Sequence, residues 1–448
     1  MKMNSLLVAA IVLAALSGVL YWSNHRKPKE DAVKVSADTP PKILTLAQAD
    51  ITKVDIKKKT GDAVELTKNE VGKWQILAAK PLRADQNEVS SILSTLSSLT
   101  SDRLIEERAG NLADYGLAQP SVEVDVTEKD NKTQKVLIGD STPAGNATYV
   151  ALVGDPRVFS LATYAKTSLD KTAKDLRDKR LLVFDQDKLS RVELTAKKQD
   201  IEFGRNKDQW QIVKPKPYRA DDSKVEELLR KLGDAKMDLN VSDGDQKKSI
   251  AAFNSGTPIA TAKVTDASGT EELQVRKSKD DYYAKSTAVD GVYKVGSDLG
   301  TALDKTVDDF RNKKLLDLGF NDPDKIEFHV GTKAYFLTKG GSDWFSADGK
   351  KVDAISAETY VGKVRDLAAS KFLDNGSGAS EFELTVTSNS GKSVEKILVS
   401  KDGDHYVAKR DGEPALYQLD PVMVTGLEKA ADDLKPAVEP KPEPAKKK

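Results

Sequence analysis

The chain has 448 residues, and its 70 lysines and arginines balance its 70 aspartates and glutamates, so the formal net charge is zero. Because a neutral chain has no net field to draw it to a polyanion, we exclude nucleic acid as a partner. Cysteine is absent and histidine occurs three times, which excludes disulfides, thiolate nucleophiles and cysteine–zinc sites.

An apolar segment begins the chain. Residues 6–22 carry no charge, and the basic cluster Arg26-Lys27-Pro28-Lys29 follows them. We predict a membrane anchor over residues 1–24, with a signal peptide cleaved after Ala15-Leu16-Ser17 as the alternative. Residues 25–42, rich in Lys, Asp, Ser and Pro, are predicted to form a tether.

These sequence signals do not decide on which side of the membrane the C-terminal bulk of the chain lies. The positive-inside rule alone places the basic cluster in the cytoplasm, whereas a short N-terminal tail with one lysine is typical of bacterial export signals. We favour export. The expected location is the bacterial inner membrane, crossed once, with the C-terminal bulk in the periplasm or outside.

Tryptophan marks an internal repeat. The segment Trp74-Gln75-Ile76 … Pro81-Leu82-Arg83-Ala84-Asp85 returns with the same spacing as Trp210-Gln211-Ile212 … Pro217-Tyr218-Arg219-Ala220-Asp221, and a looser copy is Trp344-Phe345-Ser346 … Lys351-Val352-Asp353. The interval is one domain length. We therefore predict three repeats at residues 43–183, 184–318 and 319–435, followed by a disordered Pro/Lys tail at 436–448.

Each repeat has the same order of hydrophobic periods. Alternation typical of half-buried strands opens it, and a second strand and the tryptophan strand follow. The period then changes to that of a helix, and strands return in the second half. The helix stripes are Val89, Ile92, Leu93, Leu96 and Leu99; Val225, Leu228, Leu229 and Leu232; and Val361, Val364, Leu367 and Ala368. The predicted fold class is α+β, with three tandem modules behind a transmembrane helix.

Two short motifs punctuate the repeats. Asp85 with Glu88 predicts a helix start with a capping box, so the Arg-Ala-Asp element is interpreted as the turn from strand to helix. Residues 175–182 and 309–316, Asp-Leu-Arg-Asp-Lys-Arg-Leu-Leu and Asp-Phe-Arg-Asn-Lys-Lys-Leu-Leu, are predicted to form closing helices that lead directly into the next repeat.

These features together resemble a bacterial envelope family known as domain of unknown function 4340. The resemblance covers most of residues 43–435 and is weakest in the third repeat, which lacks Arg-Ala-Asp and the Gln-Ile after its tryptophan. It implies an extracytoplasmic protein that serves as an accessory to a membrane complex of an ABC-type ATPase and a gliding-motility-like permease. The family has no established catalytic residues, so none is carried over.

No motif in the sequence predicts catalysis. Phosphate loops, nucleophile elbows and spaced metal ligands are absent from it, so we predict no catalytic, cofactor-binding or metal site. Acidic pairs occur at Asp221-Asp222, Asp280-Asp281, Asp308-Asp309 and Asp432-Asp433. Three loops with paired acids, 243–245, 321–324 and 402–405, lack the ligand order of a calcium loop and are interpreted as turns.

Three functions stay open at this point. The favoured one is a non-enzymatic, membrane-anchored scaffold that binds a permease complex or another envelope component, for which we expect an exposed apolar or aromatic interface. The alternatives are an envelope enzyme that acts on glycan or peptide through paired carboxylates, which requires a cleft of convergent acids, and an adhesin-like surface-binding repeat protein.

Overall fold

The structure, a computed structural model, describes residues 41–206, 209–318, 322–376 and 378–437, and of Asp243 only the backbone. The predicted anchor, nearly all of the tether and residues 438–448 of the tail lie outside the described residues. Within the described ranges no helix is both long and apolar enough to cross a membrane. The chain divides after Asp178 into two compact units.

The first unit contains one large sheet and one small one. Its strands are β1 (Lys42–Thr45), β2 (Ile51–Lys58), β3 (Ala63–Lys68), β4 (Trp74–Leu77), β5 (Leu82–Arg83), β6 (Ser98–Thr100), β7 (Arg103–Glu106), β8 (Val122–Glu128), β9 (Thr133–Ser141), β10 (Ala147–Leu152) and β11 (Val158–Ala162). Its helices are α1 (Gln86–Ser97), α2 (Thr163–Leu169) and α3 (Ala173–Leu176), with 3₁₀ turns at Gln48–Asp50 and Leu112–Tyr115.

Sheet 1 is fully antiparallel, in the order β5-β4-β3-β2-β8-β9-β10-β11-β7, and β1 pairs separately with β6. The first four strands of this order form a meander that runs back through the chain, and the next four run forward. Helix α1 connects the two halves of sheet 1. At the centre of the sheet, β2 of one half pairs with β8 of the other.

The second unit contains two further sheets. Its strands are β12 (Arg191–Ala196), β13 (Gln199–Asn206), β14 (Gln209–Lys214), β15 (Tyr218–Arg219), β16 (Thr257–Asp266), β17 (Gly269–Ser278), β18 (Asp281–Ser286), β19 (Tyr293–Val295), β20 (Lys325–Val330), β21 (Lys333–Gly340), β22 (Asp343–Ser346), β23 (Lys371–Leu373), β24 (Ala379–Ser388), β25 (Ser393–Asp402), β26 (His405–Arg410) and β27 (Leu416–Leu419). Its helices are α4 (Asp222–Gly233), α5 (Asp243–Ser255), α6 (Ser297–Leu303), α7 (Ala354–Arg365) and α8 (Pro421–Asp432), with 3₁₀ turns at Gln186–Lys188 and Val307–Asp309.

Sheets 2 and 3 repeat the order of sheet 1. Sheet 2 runs β15-β14-β13-β12-β16-β17-β18-β19, and sheet 3 runs β22-β21-β20-β24-β25-β26-β27-β23. In each, a backward meander and a forward meander meet at a central antiparallel pair, β12–β16 or β20–β24. Helix α4 connects the two halves of sheet 2, and helix α7 connects those of sheet 3, as α1 does in sheet 1. The fold is therefore mostly antiparallel sheet with several helices, and the predicted α+β class is confirmed.

The core of each sheet lies on its helix-covered face. The predicted stripe of α4, Val225, Leu228, Leu229 and Leu232, is buried, as are Val89, Ile92, Leu93 and Leu96 of α1. The opposite face of sheet 1 is polar and is crossed by ion pairs between strands, such as Lys135 Nζ to Glu123 Oε1 at 2.6 Å. The alternation of the strands thus separates an apolar side from a charged side.

Four local predictions are wrong. Leu99, Leu367 and Ala368 are not in the helices, because α1 and α7 end at Ser97 and Arg365. The predicted closing helices are single turns, α3 and the 3₁₀ turn at Val307–Asp309, and beyond them Arg177 and Arg311 form isolated antiparallel bridges. Asp243-Gly244-Asp245 begins helix α5, which Ser242 caps. Of the residues assigned to the tail, Ala437 donates its N–H to the Lys351 carbonyl, and Pro436 lies opposite Val352 in an antiparallel bridge.

Candidate functional site

The two recurring motifs of the sequence pair with each other. In the first unit the Asp85 N–H donates to the Leu176 carbonyl at 2.8 Å and the Asp178 N–H donates to the Arg83 carbonyl at 2.9 Å, so that Ala84 forms an antiparallel bridge with Arg177. The second unit repeats these bonds twice: Asp221 to Phe310 with Asn312 to Arg219, and Asp353 to Lys435 with Ala437 to Lys351. Each Arg-Ala-Asp element, or its Lys-Val-Asp counterpart, is therefore one side of a short ladder.

The aspartate of each element begins a helix. Asp85 accepts from the Asn87 and Glu88 N–H groups, and the prediction that it is the N-cap is confirmed; Asp221 and Asp353 have the same role. The predicted capping box is wrong, because the Asp85 N–H donates to Leu176 and the Glu88 carboxylate accepts from Lys171 at 3.1 Å. These carboxylates satisfy helix N–H groups that would otherwise lack a partner.

In the second unit, the segment after Phe310 is bonded to both sheets. We call residues 310–316 the junction segment. Beyond its ladder with residues 219–221, Lys314 bridges Ala368, the Leu315 N–H donates to the Leu367 carbonyl at 2.9 Å, and the Ala369 N–H donates to Lys313 at 2.8 Å. The segment thus forms main-chain hydrogen bonds with the element before helix α4 and with the residues after helix α7.

Two half-buried arginines share acidic partners at this place: Arg219 reaches them from sheet 2, and Arg410 from sheet 3. Arg219 Nη1 lies 2.7 Å from Asp317 Oδ2, and its Nε lies 2.9 Å from Glu413 Oε1. Arg410 contacts Glu395 at 2.6 Å, Glu413 at 3.1 Å and Asp317 at 3.6 Å. The side chains of Arg410 and Glu395 are each 12% exposed, so this pair is shielded from solvent much more than a surface ion pair, whereas Asp317 is 41% exposed.

The network changes the pKa values of two of its members. Burial alone would lower the pKa of Arg219, but Asp317 and Glu413 outweigh burial and hold the pKa above its usual value. Burial and the hydrogen bond that the Tyr417 hydroxyl donates to Glu413 at 2.7 Å raise the pKa of Tyr417. Both shifts keep the ordinary protonation states, so neither group is prepared for proton transfer.

Arg311 of the junction segment lies between two aromatic rings. Its guanidinium carbon is 4.0 Å from the centroid of Tyr218 and 3.6 Å from that of Phe372, and the residue is 8% exposed. Asp308 contacts it at 3.0 Å. Because Tyr218 belongs to β15 and Phe372 to β23, this cation–π stack joins sheet 2 to sheet 3.

A cavity of about 250 Å³ lies beside this stack. Its lining combines aromatic rings with the arginines and acids described above: Gln211, Ile212, Pro217, Tyr218, Arg219, Arg311, Asn312, Phe372, Gly412, Glu413, Pro414, Ala415 and Tyr417. The charged groups of the lining contact one another, and the site is best described as an interface lock between two sheets. Hydrolysis of a glycan would need two carboxylates that face each other across the cavity, and this lining does not have that arrangement.

The predicted acidic pairs lie in different places and bind protein groups. Asp222 accepts the Trp210 N–H at 2.7 Å beside the N-cap Asp221. Five further partners bind members of the other pairs: Lys294 for Asp281, Arg311 for Asp308 with Thr306 for Asp309, and Lys333 for Asp432 with Lys429 for Asp433. Hydrogen bonds from Lys333 and Tyr335 lower the pKa of Asp432. Asp221-Asp222 and Asp308-Asp309 are neighbours, because the Asp221 N–H donates to the Phe310 carbonyl, but their carboxylates bind the Lys224 N–H, the Trp210 N–H, Arg311 and Thr306.

The loops considered for calcium have structural partners as well. Asp322 accepts from Lys339 and from Arg365, and those bonds lower its pKa. Asn321 lies outside the described residues. His405 lies 4.0 Å from Asp402, next to the turn between β25 and β26. In the described part of the chain, no group of three or more His, Asp or Glu side chains is arranged to hold a metal ion.

The sequence-based reasoning missed Arg311, Arg410, Phe372 and Glu413. A signal for Arg311 was present, because an arginine recurs in the junction motif at nearly the same interval as Arg-Ala-Asp. Two motifs with one period are candidates for mutual contact. Phe372, Arg410 and Glu413 lie in the third repeat and recur nowhere, so no pattern marked them.

Comparison with known sequences places the chain in a family. A search of curated proteins gives no match. The sequence profile described as "Domain of unknown function (DUF4340)" matches twice, at residues 74–212 and 210–385, and each match begins at or within one residue of the tryptophan strands β4 and β14. Because the two matches together span more than half of the sequence, the chain belongs to the DUF4340 family.

Proposed function

We propose that the protein is a non-enzymatic, membrane-anchored scaffold outside the cytoplasm, and that it serves as an accessory subunit of an ABC-type, gliding-motility-like membrane complex. In this proposal the three sheets are three copies of one module, held at the inner membrane by a helix in residues 1–24. The function consists of presenting module surfaces to a permease, its ATPase or another envelope component.

The observation that carries the proposal is the double attachment of the junction segment in the second unit. Main-chain bonds join it to both sheets, and Arg219, Arg311 and Arg410 reinforce them with ion pairs, of which Arg410–Glu395 is mostly buried, and with a cation–π stack. Such contacts fix the angle between two modules. A fixed angle keeps the binding surfaces of two modules at a constant position relative to each other, as a scaffold requires. A chain of independently moving domains would not need such contacts.

The use of the recurring polar residues also supports a scaffold. Asp85, Asp221 and Asp353 cap helices, and Gln86 and Asp222 bind the backbone of Trp74 and Trp210. An envelope enzyme acting through paired carboxylates would instead require two of them to face one cleft with opposed protonation states. We keep that enzyme as the alternative, and an adhesin-like array as a weaker one, although no contact among the described residues favours either.

An affinity purification from gently solubilised native membranes tests the proposal. Tagged full-length protein should recover an ABC ATPase and its permease, identified by mass spectrometry, and a chain without residues 1–24 should not. Arg311→Ala should lower the recovery, whereas Arg191→Ala, a matched change in an exposed ion pair with Glu202 on the open face of sheet 2, should leave it unchanged. Recovery of the protein alone, or with glycan fragments, would contradict the scaffold function.

A further inference from the structure

Sheets 1 and 3 contain the same loop in equivalent places. We call it the acceptor loop; it joins β10 to β11 as residues 153–157 and β26 to β27 as residues 411–415. In both copies a glycine with positive φ is followed by an acid and a proline, Gly154-Asp155-Pro156 and Gly412-Glu413-Pro414. The first N–H of the loop donates to the neighbouring strand, β9 or β25, at 2.9 and 2.8 Å, and the N–H of the acid donates back to the strand end at 3.0 and 3.3 Å. The two loops therefore correspond residue by residue.

In sheet 3 the acceptor loop holds a segment of sheet 2. Glu413 Oε1 lies 2.9 Å from Arg219 Nε, and Tyr218 packs against the core of sheet 3. Ala415, the last residue of the loop, lines the same cavity as these three residues. A small side chain at position 415 thus leaves room for Tyr218 and Arg219.

In sheet 1 the residue at the position of Ala415 is Arg157, and it binds the acid of its own loop. Arg157 Nε donates to Asp155 Oδ1 at 2.9 Å, and its Nη2 donates to Oδ2 at 2.6 Å. Its guanidinium carbon lies 5.0 Å from the ring centroid of Phe159. The Asp155 side chain is 15% exposed, against 22% for Glu413. An arginine of the same loop therefore pairs with this carboxylate, which is shielded as well as the one that binds Arg219.

The other groups that bind the acid of sheet 3 are replaced in sheet 1. Glu413 also contacts Arg410 at 3.1 Å and accepts a hydrogen bond from the Tyr417 hydroxyl at 2.7 Å. The strand register places Leu152 and Phe159 at these two positions in sheet 1, and neither side chain can donate a hydrogen bond. Sheet 1 thus keeps the acid of the acceptor loop and has one arginine of the loop itself in place of the other donors.

The segment that would bind such a loop is changed in sheet 3. Counted back from the aspartate that caps α7, Lys350 and Lys351 stand at the positions of Tyr218 and Arg219. Lysine has neither an aromatic ring nor the planar fork with which arginine binds a carboxylate. The third module therefore lacks the segment with which the second module binds an acceptor loop.

We propose that Arg157 is an intramolecular cap, which occupies the acceptor loop of sheet 1 as Arg219 occupies that of sheet 3 and so prevents a second copy of this chain from adding a module there. Contacts that join one end of a chain to the other end of an identical chain generate open filaments unless they close into a ring. Repeat proteins avoid such growth with terminal repeats whose outer surfaces differ from the internal ones. The cap acts whether or not the protein serves a membrane complex, so it does not rest on the proposed function.

Transfer of the cap to sheet 3 tests whether an arginine at this position excludes a neighbouring module. In Ala415→Arg the new side chain should pair with Glu413, displace Tyr218 and Arg219, and loosen sheet 3 from sheet 2. Because the chain has no cysteine, Lys263→Cys on β16 and Lys396→Cys on β25 accept two spin labels specifically. Double electron–electron resonance on the labelled full-length protein should give a narrow distance distribution, which Ala415→Arg should broaden. Val422→Arg, an arginine at an exposed position of α8, is the matched control and should leave it narrow.

Removal of the cap from sheet 1 is the second measurement. Lys350→Tyr, Lys351→Arg and Pro436→Arg together give sheet 3 the residues found at the positions of Tyr218, Arg219 and Arg311; we call this the donor variant. In sedimentation velocity of the full-length protein in detergent, the donor variant with Arg157 should sediment as the wild type does. The donor variant that also carries Arg157→Ala should form larger species as its concentration rises.

The outcomes decide whether Arg157 is a cap. Circular dichroism and the melting temperature verify that each variant folds. An unchanged distance distribution in folded Ala415→Arg would overturn the cap. Equal association of the donor variant with and without Arg157→Ala, or no association of either, would overturn it as well. Should Ala415→Arg fail to fold, the association measurement alone decides.

Discussion

Replacing Arg311 by alanine tests whether the lock between sheets 2 and 3 stabilises the second unit. The substitution removes a cation that two rings contact at 4.0 and 3.6 Å, and it leaves the main-chain bonds of the junction segment in place. A desolvated cation–π contact contributes about 2 kcal/mol. The ion pair with Asp308 adds less than about 1 kcal/mol, because that carboxylate is 55% exposed.

We therefore expect Arg311→Ala to lower the free energy of local opening by about 2 to 4 kcal/mol. At about 1.4 kcal/mol for each factor of ten, the smaller value is a roughly 30-fold increase in the open population. Global unfolding of a chain with several modules is not two-state, so the measurement should report individual bonds. Hydrogen exchange does so, since the amides of Asp221 and Asn312 donate across the ladder next to Arg311.

Amide exchange measured by mass spectrometry or NMR should accelerate about 30-fold or more at Asp221 and Asn312. The equivalent amides of the first unit, at Asp85 and Asp178, provide an internal control and should not change. Arg311→Lys keeps the charge and loses the planar stack, so it should resemble alanine more than wild type. Less than a threefold change in the alanine variant, or wild-type exchange in the lysine variant, would refute this account of the stack.

Three further predictions concern single side chains. Asp85→Ala and Asp221→Ala each remove a helix cap, so each should lower the free energy of local opening of its own helix by about 1 kcal/mol, measured by hydrogen exchange at the start of α1 or of α4; an effect of Asp85→Ala on exchange in α4 would argue against separate caps. The Tyr360 hydroxyl is buried without a hydrogen-bond partner in the described part of the chain, so Tyr360→Phe should raise stability by about 1 kcal/mol, and a loss would indicate a partner outside that part. A hydrogen bond from Lys350 lowers the pKa of Asp348 to about 2, so any stabilisation by this carboxylate is complete above its unfolded pKa of 3.8 and is lost as pH falls from there through about 2; NMR titration should show the lowered pKa, Lys350→Gln should return it toward 3.8, and an unchanged pKa would exclude Lys350 as the cause.

Much of the secondary structure could be predicted because hydrophobic period reports burial locally. The alternation at residues 51–56 and the helical stripe at Val225, Leu228, Leu229 and Leu232 each reflect one buried face, and both are correct. The same reasoning extended α1 to Leu99 and failed there, since Leu99 is buried in strand β6 against β1. A buried leucine one turn beyond a helix satisfies the helical pattern whether or not the backbone is helical.

The candidate site could not be predicted because it depends on contacts between distant parts of the chain. The segment 309–316 has the composition of a helix end, yet it is not helical after Phe310, since its main-chain groups bond residues 219–221 on one side and 367–369 on the other. Propensity is a weak influence where ladder bonds and buried side chains decide. Arg219 was visible in a recurring motif, but its partners Asp317 and Glu413 carry no period.

The third copy of the motif separates its two roles. Its ladder and its helix cap persist in sheet 3, where Asp353 caps α7 and Val352 pairs with Pro436. The residues at the positions of Tyr218, Arg219 and Arg311 are Lys350, Lys351 and Pro436, so the side chains that attach sheet 2 to sheet 3 have no counterparts there. Because backbone pairing needs only the capping aspartate and a compatible chain, the module can fold without Tyr-Arg-Ala. Tyr218, Arg219 and Arg311 therefore attach the two sheets and are not needed to fold either one. Substitutions at those positions should weaken the contact between the sheets more than they destabilise either sheet.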